Sequence, residues 1–369
     1  MRLALVISSL RQGGAERVFS LTANALAARG HQVTLFTLEN ECPSPFYPLA
    51  ESVCHLPLKL AKKSSNYLAA LGNNLRRVTT LRRAILSVRP EAVLSFMDAT
   101  NILVLMAVGR DLPVAVSERV HPVHYDIGPI WRNLRRATYS RAAAIVIQTA
   151  DIQHTLPAVL RPRCAVIPNP VVKLPNVTPV PNLITQGRLL LAMGRLASQK
   201  GFDMLLQAFA PIAQDHPDWT LVILGEGPER PSLESLREEL CLNERVLLPG
   251  QLDAPGWALR RADLFVLSSR FEGFPNALCE AMACGLPAVA FDCPSGPRDI
   301  IRHGMDGLLV RPGNVKELTD ALSRIMSNEK LRHSFAKQAP NILERFGLEK
   351  VMDMWENLLI RIAKGYTGP

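Results

Sequence analysis

Cysteine pairs, a dinucleotide fingerprint and long apolar runs are all missing from this 369-residue sequence. The seven cysteines, at positions 42, 54, 164, 241, 279, 284 and 293, are odd in number and scattered, with no C-x-x-C among them. That excludes a zinc ribbon or a disulfide framework and points to reduced thiols in a cytosolic protein. No stretch reaches the ~18 apolar residues of a membrane span. The apolar start, residues 1–10, contains Ser8 and Ser9 and runs into Arg11 without an A-x-A site. It reads as a buried first strand and not as a signal peptide. No repeat of 20–50 residues, heptad array or collagen period occurs. Aromatic residues make up 6%, and no aromatic-interleaved RNA-binding motif is found.

What is present is a globular composition, 48% hydrophobic and 20% charged, at a length that favours two domains. The net charge of +9 is unevenly spread. Residues before Gln186 hold 21 basic and 10 acidic side chains; the remainder holds 21 and 23. The basic surplus belongs to the first half, which argues against a uniform nucleic-acid coat, so no nucleic-acid partner is expected.

Short apolar runs alternate with helical patterns. The apolar run at 3–8 predicts a buried parallel strand, a helix over 15–29 capped by Gly30 follows, and further short strands are predicted at 33–38, 92–96, 114–117 and 144–148. The proline-rich stretch from Pro168 to Pro181 reads as a linker. A second series follows, with strands at 189–192, 220–224, 246–248, 264–267 and 288–291. Its helices are predicted at 202–214, 230–240, 275–284 and 315–326, and a last amphipathic helix at 348–362. The predicted architecture is α/β, with two Rossmann-like doubly wound domains facing across a cleft. The boundaries are 1–170, a linker at 171–186, 187–346, and a closing segment 347–369 that packs back toward the N-terminal domain.

Four motifs carry chemistry. The run R-F-E-G-F-P-N-A-L-C-E-A-M-A-C-G-L-P over 270–287 places Glu272 and Glu280 eight positions apart across a helix start. Pro275 suits the first helical turn, and the amides of Asn276, Ala277 and Leu278 then form an anion site. A lone pair of glutamates would more often just cap and solvate a helix, but Gly273, Pro275 and Gly285-Leu286-Pro287 reverse that preference. The run G-R-L-A-S-Q-K-G over 194–201 offers Arg195 and Lys200 to one phosphate group, beside Gly194. Gly13-Gly14-Ala15-Glu16 follows the first strand, where glycines let amides approach a phosphate; a plain tight turn reads equally well. Gly225-Glu226-Gly227-Pro228 is a further strand-end turn, with or without function.

Together these motifs resemble the retaining glycosyltransferases of family four, of GT-B fold, over nearly the whole chain. The resemblance implies that Glu280 holds the nucleotide ribose and that Glu272 sits near the donor sugar. The backbone from Gly273 through Phe274, Pro275, Asn276 and Ala277 to Leu278 would contact sugar and diphosphate, with the N–H groups of every residue but proline as donors. Arg195 and Lys200 match the diphosphate-binding pair, and Gly14 would close on the phosphate from the other domain. The base would lie near 246–252, up to Leu252, with Gly225 close by. Departure of the nucleoside diphosphate builds charge that Arg195, Lys200 and the helix terminus would stabilise, with Glu272 favouring the oxocarbenium ion. No D-x-D occurs, so no metal and no cofactor are expected; the two cations would replace the metal.

One departure from the family pattern concerns the strand end V-S-E-R-V-H-P over 116–122, where many members carry a histidine. Here Glu118, Arg119 and His121 are the candidates to face the donor sugar, although Glu118 and Arg119 also read as a local ion pair and His121 as an ordinary loop residue.

The stretch 59–89 holds eight basic residues, among them Lys62, Lys63, Arg76, Arg77, Arg82 and Arg83, and no acidic one. Leu68, Leu71, Leu75, Val78, Leu81 and Ile85 recur at helical spacing. A basic amphipathic helix suits anionic head groups or a lipid diphosphate; packing of the apolar face on the sheet is the plainer reading. The expected partners are a nucleotide sugar, a saccharide or lipid-linked saccharide acceptor, and the anionic cytoplasmic face of a membrane.

A sugar-nucleotide epimerase of the same fold and a non-catalytic sugar-nucleotide binder are the rival readings. The second would be expected to lose Glu272, Arg195 or Lys200, which this chain keeps. The segment S-G-P-R-D over 295–299 resembles that of transferases using UDP-N-acetylhexosamines or UDP-galactose. The favoured function is therefore retaining transfer of a hexose or N-acetylhexosamine from a nucleoside-diphosphate sugar, UDP favoured and GDP-mannose the alternative donor, to a saccharide acceptor in cell-envelope polysaccharide or glycan assembly.

Overall fold

A computed structural model describes residues 1–39, 44–60, 67–121, 123–174, 187–252 and 255–366. The chain divides into two compact units: 1–170 with 349–369, and 171–348. Lys62, Lys63 and residues 175–186 of the proline-rich stretch and linker lie outside the described residues.

In the first unit the strands are β1 (Arg2–Ile7), β2 (Gln32–Thr37), β3 (Val53–Pro57), β4 (Ala92–Phe96), β5 (Val114–Ser117), β6 (Ala144–Ile147) and β7 (Cys164–Val166). They form one parallel sheet in the order β3-β2-β1-β4-β5-β6-β7. The helices are α1 (Gly14–Ala28), α2 (Tyr67–Ser87), α3 (Asp98–Val108), α4 (Pro129–Thr138) and α5 (Ala150–Thr155). The apolar runs β1, β4, β5 and β6 are buried almost throughout, as central parallel strands covered on both faces must be.

In the second unit β8 (Arg188–Met193), β9 (Trp219–Leu224), β10 (Val246–Gly250), β11 (Leu264–Leu267), β12 (Ala288–Phe291) and β13 (Gly307–Val310) run in the order β10-β9-β8-β11-β12-β13. Around them lie α6 (Phe202–Phe209), α7 (Arg230–Glu239), α8 (Gly256–Arg261), α9 (Asn276–Ala283), α10 (Pro297–Ile300), α11 (Val315–Ser327), α12 (Glu329–Gln338) and α13 (Ile342–Phe346). Apolar clusters fill both faces of this sheet.

The last helix, α14 (Leu348–Ala363), belongs to the first unit from Glu349 onward. Trp355 stacks on Phe96 at 5.7 Å, and Phe96 meets Phe19 of α1 edge-on at 4.7 Å. Arg29 bonds Glu349, Asp353 and Glu356, each at 2.8 Å. A helix that buries Trp355 and carries carboxylates opposite Arg29 covers the face on which α1 lies.

Each sheet reverses its strand order once, between β1 and β4 and between β8 and β11. Ligands of doubly wound sheets bind outside the carboxyl ends of the strands at such points.

Candidate active site

In the second unit the reversal point lies between the ends of β8 and β11, and the expected motifs flank it. Gly194 and Arg195 follow β8, and Lys200 ends a short 3-10 turn, Ser198–Lys200. Gly201 then takes φ +61, a conformation that favours glycine, and a Cβ there would lie 2.1 Å from the Ser268 carbonyl oxygen. The close approach lets the Ser268 hydroxyl donate to the Lys200 carbonyl at 2.9 Å. The neighbouring Ser269 hydroxyl donates to Glu272 Oε1 at 2.6 Å, and Lys200 Nζ donates to the same oxygen at 2.6 Å. Lys200 thus holds Glu272 while lying in the same strand-end loop as Arg195, with which the sequence pairs it. The exposed Arg195 side chain makes no hydrogen bond or ion pair among the described residues.

The glycine turns have packing reasons. A Cβ on Gly225, at φ +147, would sit 1.9 Å from the Gly194 carbonyl oxygen, and one on Gly227 would meet that of Leu196 at 2.3 Å. Gly225 N–H donates to Gly250 O, and Leu196 N–H to Glu226 O, both at 2.9 Å. These contacts lace the ends of β8, β9 and β10 together. Leu252 lies two residues beyond β10, half-buried against the apolar cluster.

Glu272 N–H donates to Pro294 O at 3.2 Å, and the buried Ser295 hydroxyl donates to Gly273 O at 2.9 Å. Ser295 holds φ +70, and Gly296, at φ +106, lets Pro275 approach. The segment 294–296 thus clamps the start of the E-x7-E element. Phe274 is buried and packs edge-on to Phe346 at 5.4 Å. Pro275 is the N-cap of α9, not its first helical residue, so Asn276, Ala277 and Leu278 supply the first three amides of the helix. Glu280 is buried within α9. Cys293 is buried close enough to Glu272 to feel its charge, which adds to burial in pushing the thiol up.

In the first unit, Gly13 is extended at φ −179, so any residue fits its backbone. Its open side is filled by Glu16, whose Oε2 lies 2.1 Å from where a Cβ would be. Burial raises the pKa of Glu16 against the bond from its own backbone N–H, and Glu39 adds to the rise. Beside Gly14 the start of α1 thus already holds a carboxylate.

Glu118 and Arg119 do not form the local ion pair that their adjacency suggested. The fully buried Glu118 forms an ion pair with Arg135 of α4 at 3.0 Å and accepts from the Tyr139 hydroxyl at 2.5 Å. Asp98, at the start of α3, faces the same carboxylate; burial first and Glu118 second raise its pKa to about 8. Arg119 points elsewhere. Its guanidinium stacks over Phe96 at 4.2 Å, donates to Ser117 Oγ at 3.2 Å and bonds Asn169 Oδ1. His121 is buried, its ring 4.6 Å from that of His124, with its pKa lowered by burial and then by His124.

The basic helix is partly tied down. Arg77 donates to Leu60 O at 2.8 Å and Arg82 pairs with Asp111 at 2.5 Å, while Arg76 and Arg83 are exposed. Leu81 and Ile85 are fully buried, but Leu75, expected on the same apolar face, is 66% exposed. No helix among the described residues is long and apolar enough to cross a membrane.

Sequence reasoning missed Ser268, Ser269, Asp98, Arg135, Tyr139 and Asn169. Only the serine doublet after a strand carried a local signal.

Comparison with known proteins places the chain in a family. Residues 13–170 match the glycosyl transferase 4-like domain, and residues 178–342 match glycosyl transferases group 1. The chain is 25% identical over 365 residues to a Campylobacter jejuni GalNAc-alpha-(1->4)-GalNAc-alpha-(1->3)-diNAcBac-PP-undecaprenol alpha-1,4-N-acetyl-D-galactosaminyltransferase, covering 98% of this chain and 99% of that protein. It is 39% identical over 211 residues to the exopolysaccharide phosphotransferase SCO2592 of Streptomyces coelicolor, covering 56% of this chain and only 22% of that longer protein. A Thermosynechococcus elongatus sucrose-phosphate synthase structure superposes with a TM-score of 0.84 at 19% identity, over 99% of both chains, and so shares the fold. The chain belongs to the group 1 glycosyltransferases, the retaining family four of GT-B fold.

Proposed function

We propose that this chain transfers a hexose or N-acetylhexosamine from a UDP-sugar, with retention, to a lipid-linked saccharide acceptor in envelope glycan assembly. The observation that carries the reading is the Lys200–Glu272–Ser269 cluster at the reversal point of the second sheet, beside the exposed Arg195. The relative named for a diphospho-undecaprenol-linked acceptor supports the acceptor class.

In the proposed step the bond between the sugar C1 and the diphosphate oxygen breaks. The acceptor oxygen bonds C1 from the same side, and its proton passes to a phosphate oxygen of the departing UDP. Arg195, Lys200 and the first amides of α9 take up the charge on that diphosphate. Glu272, held by Lys200 and Ser269, orients the sugar and stabilises positive charge at C1. Arg76 and Arg83, exposed on α2, serve contact with an anionic membrane surface.

A donor panel tests this: UDP- and GDP-sugars are incubated with a mixture of lipid-linked acceptors, with and without EDTA. Turnover of a UDP-sugar that survives EDTA is expected. Turnover of GDP-sugars only, or activity restored solely by a divalent ion, would contradict it.

A further inference from the structure

Arg119 is a buried cation with no buried anion to match it among the described residues. It is 7% exposed, and burial alone draws its pKa down to about 9, so it remains charged at neutral pH. Its two hydrogen-bond partners, Ser117 Oγ and Asn169 Oδ1, are neutral. A guanidinium has five N–H donors. Among the described residues Nε has no partner, and the two bonds from Nη1 and Nη2 leave further donors unused. The nearest carboxylate in sequence, Glu118, is engaged with Arg135 and Tyr139.

Such a charge is costly to bury unpaired. The surroundings nevertheless hold it in one place. Phe96, beneath the guanidinium, is wedged between Phe19 and Trp355. Asn169 is flanked by Pro168 and Pro170, and its Oδ1 also accepts from Gln148 Nε2 at 2.7 Å. Phe96 is the last residue of β4, so the cation leans over the reversal point of the first sheet, at the strand ends where ligands of such sheets bind.

We infer that Arg119 is the cation of a phosphate-class anion site within the first unit, left uncompensated until a substrate phosphate arrives. Its planar fork and spare donors suit a phosphate oxygen pair. The site itself stands on this geometry; which substrate carries the phosphate rests on the function proposed above, either the lipid diphosphate of the acceptor or the UDP of the donor.

Thermal melting of the full chain tests the inference without needing turnover. Arg119→Met removes the charge and keeps the volume, while Gln148 still satisfies Asn169. Without added anion this variant is expected to melt at or above the wild-type temperature, because an uncompensated charge is lost. In an Arg195→Ala background, which disables the exposed cation of the second unit, inorganic pyrophosphate is expected to raise the melting temperature. Adding Arg119→Met abolishes that rise, and Arg119→Lys keeps part of it. Farnesyl diphosphate and UDP, each in the same background, distinguish the sources: the probe whose shift depends on Arg119 names the carrier. Melting of Arg119→Met well below wild type, its failure to fold, or anion shifts indifferent to Arg119 with all three probes would each overturn the inference and leave Arg119 a structural clamp.

Discussion

Lys200 and Glu272 satisfy one another at 2.6 Å, with Ser269 donating to the same carboxylate oxygen. Glu272 is almost fully buried, so its orientation depends on these two donors. A hydrogen bond to a charged group contributes about 1.5–3 kcal/mol. Ser269→Ala should therefore lower kcat roughly 10-fold, with little change in donor KM, and Glu272→Gln should lower it about 100-fold or more. Steady-state kinetics of the two variants check this; a Ser269→Ala enzyme with wild-type kcat would refute the positioning role. Asp98 makes a separate prediction. Its folded pKa of about 8 lies above the ordinary 3.8, so the folded state keeps a proton that the unfolded state releases. Stability must then fall as pH rises from about 4 to about 8. The groups that set this are Glu118, which opposes ionisation, and Arg135, which favours it. Asp98→Asn should flatten the decline in melting temperature over that window; an unchanged pH profile would show that Asp98 ionises normally.

At the scale of elements, the strand-end loops hold the site because glycine lets them interpenetrate. Gly201→Ala would force an L side chain to φ +61 and drive its Cβ into the Ser268 carbonyl. The left-handed conformation alone costs about 1–2 kcal/mol, and the backbone clash adds to it. Melting temperature and activity should fall together, since Lys200 is the preceding residue; an Ala variant of wild-type stability would show that the loop can move aside. The same close packing explains what could be read in advance. Strands β1, β8 and β12 announce themselves as apolar runs, and β4 as one broken only by Ser95. Edge strand β3 alternates exposure, ends in proline and carries Cys54 and His55, so it offered no such run. Helix α3 was missed for the opposite reason: nearly all of its residues are buried, and a helix apolar all round shows no period. Lys200 and Glu272 were legible because each sits in its own linear motif, 72 residues apart. Their direct pairing, and that of Glu118 with Arg135, were not legible, since a contact between two elements leaves no trace in the local spacing of either.

Across the whole molecule, charge is unevenly divided. The half before Gln186 carries the basic surplus, and the exposed Arg76 and Arg83 on α2 display part of it. Arg77 and Arg82 are tied to neighbouring groups and contribute less to any surface contact. Binding to vesicles with anionic lipid should weaken as salt rises, because screening shortens the reach of exposed charges to ~8 Å at physiological ionic strength. At about 1 kcal/mol per basic residue, the double variant Arg76→Gln with Arg83→Gln should bind such vesicles at least 10-fold more weakly. Co-sedimentation across a salt series checks this; binding indifferent to salt and to both substitutions would remove the membrane from the account. The near-neutral remainder holds Arg195, Lys200, Glu272 and the start of α9, and the central claim is that these residues support transfer with retention. The most direct test is NMR of the anomeric centre in the product formed from an α-linked UDP-sugar and a lipid-linked acceptor. The account predicts an α linkage in the product, and a β linkage would contradict it.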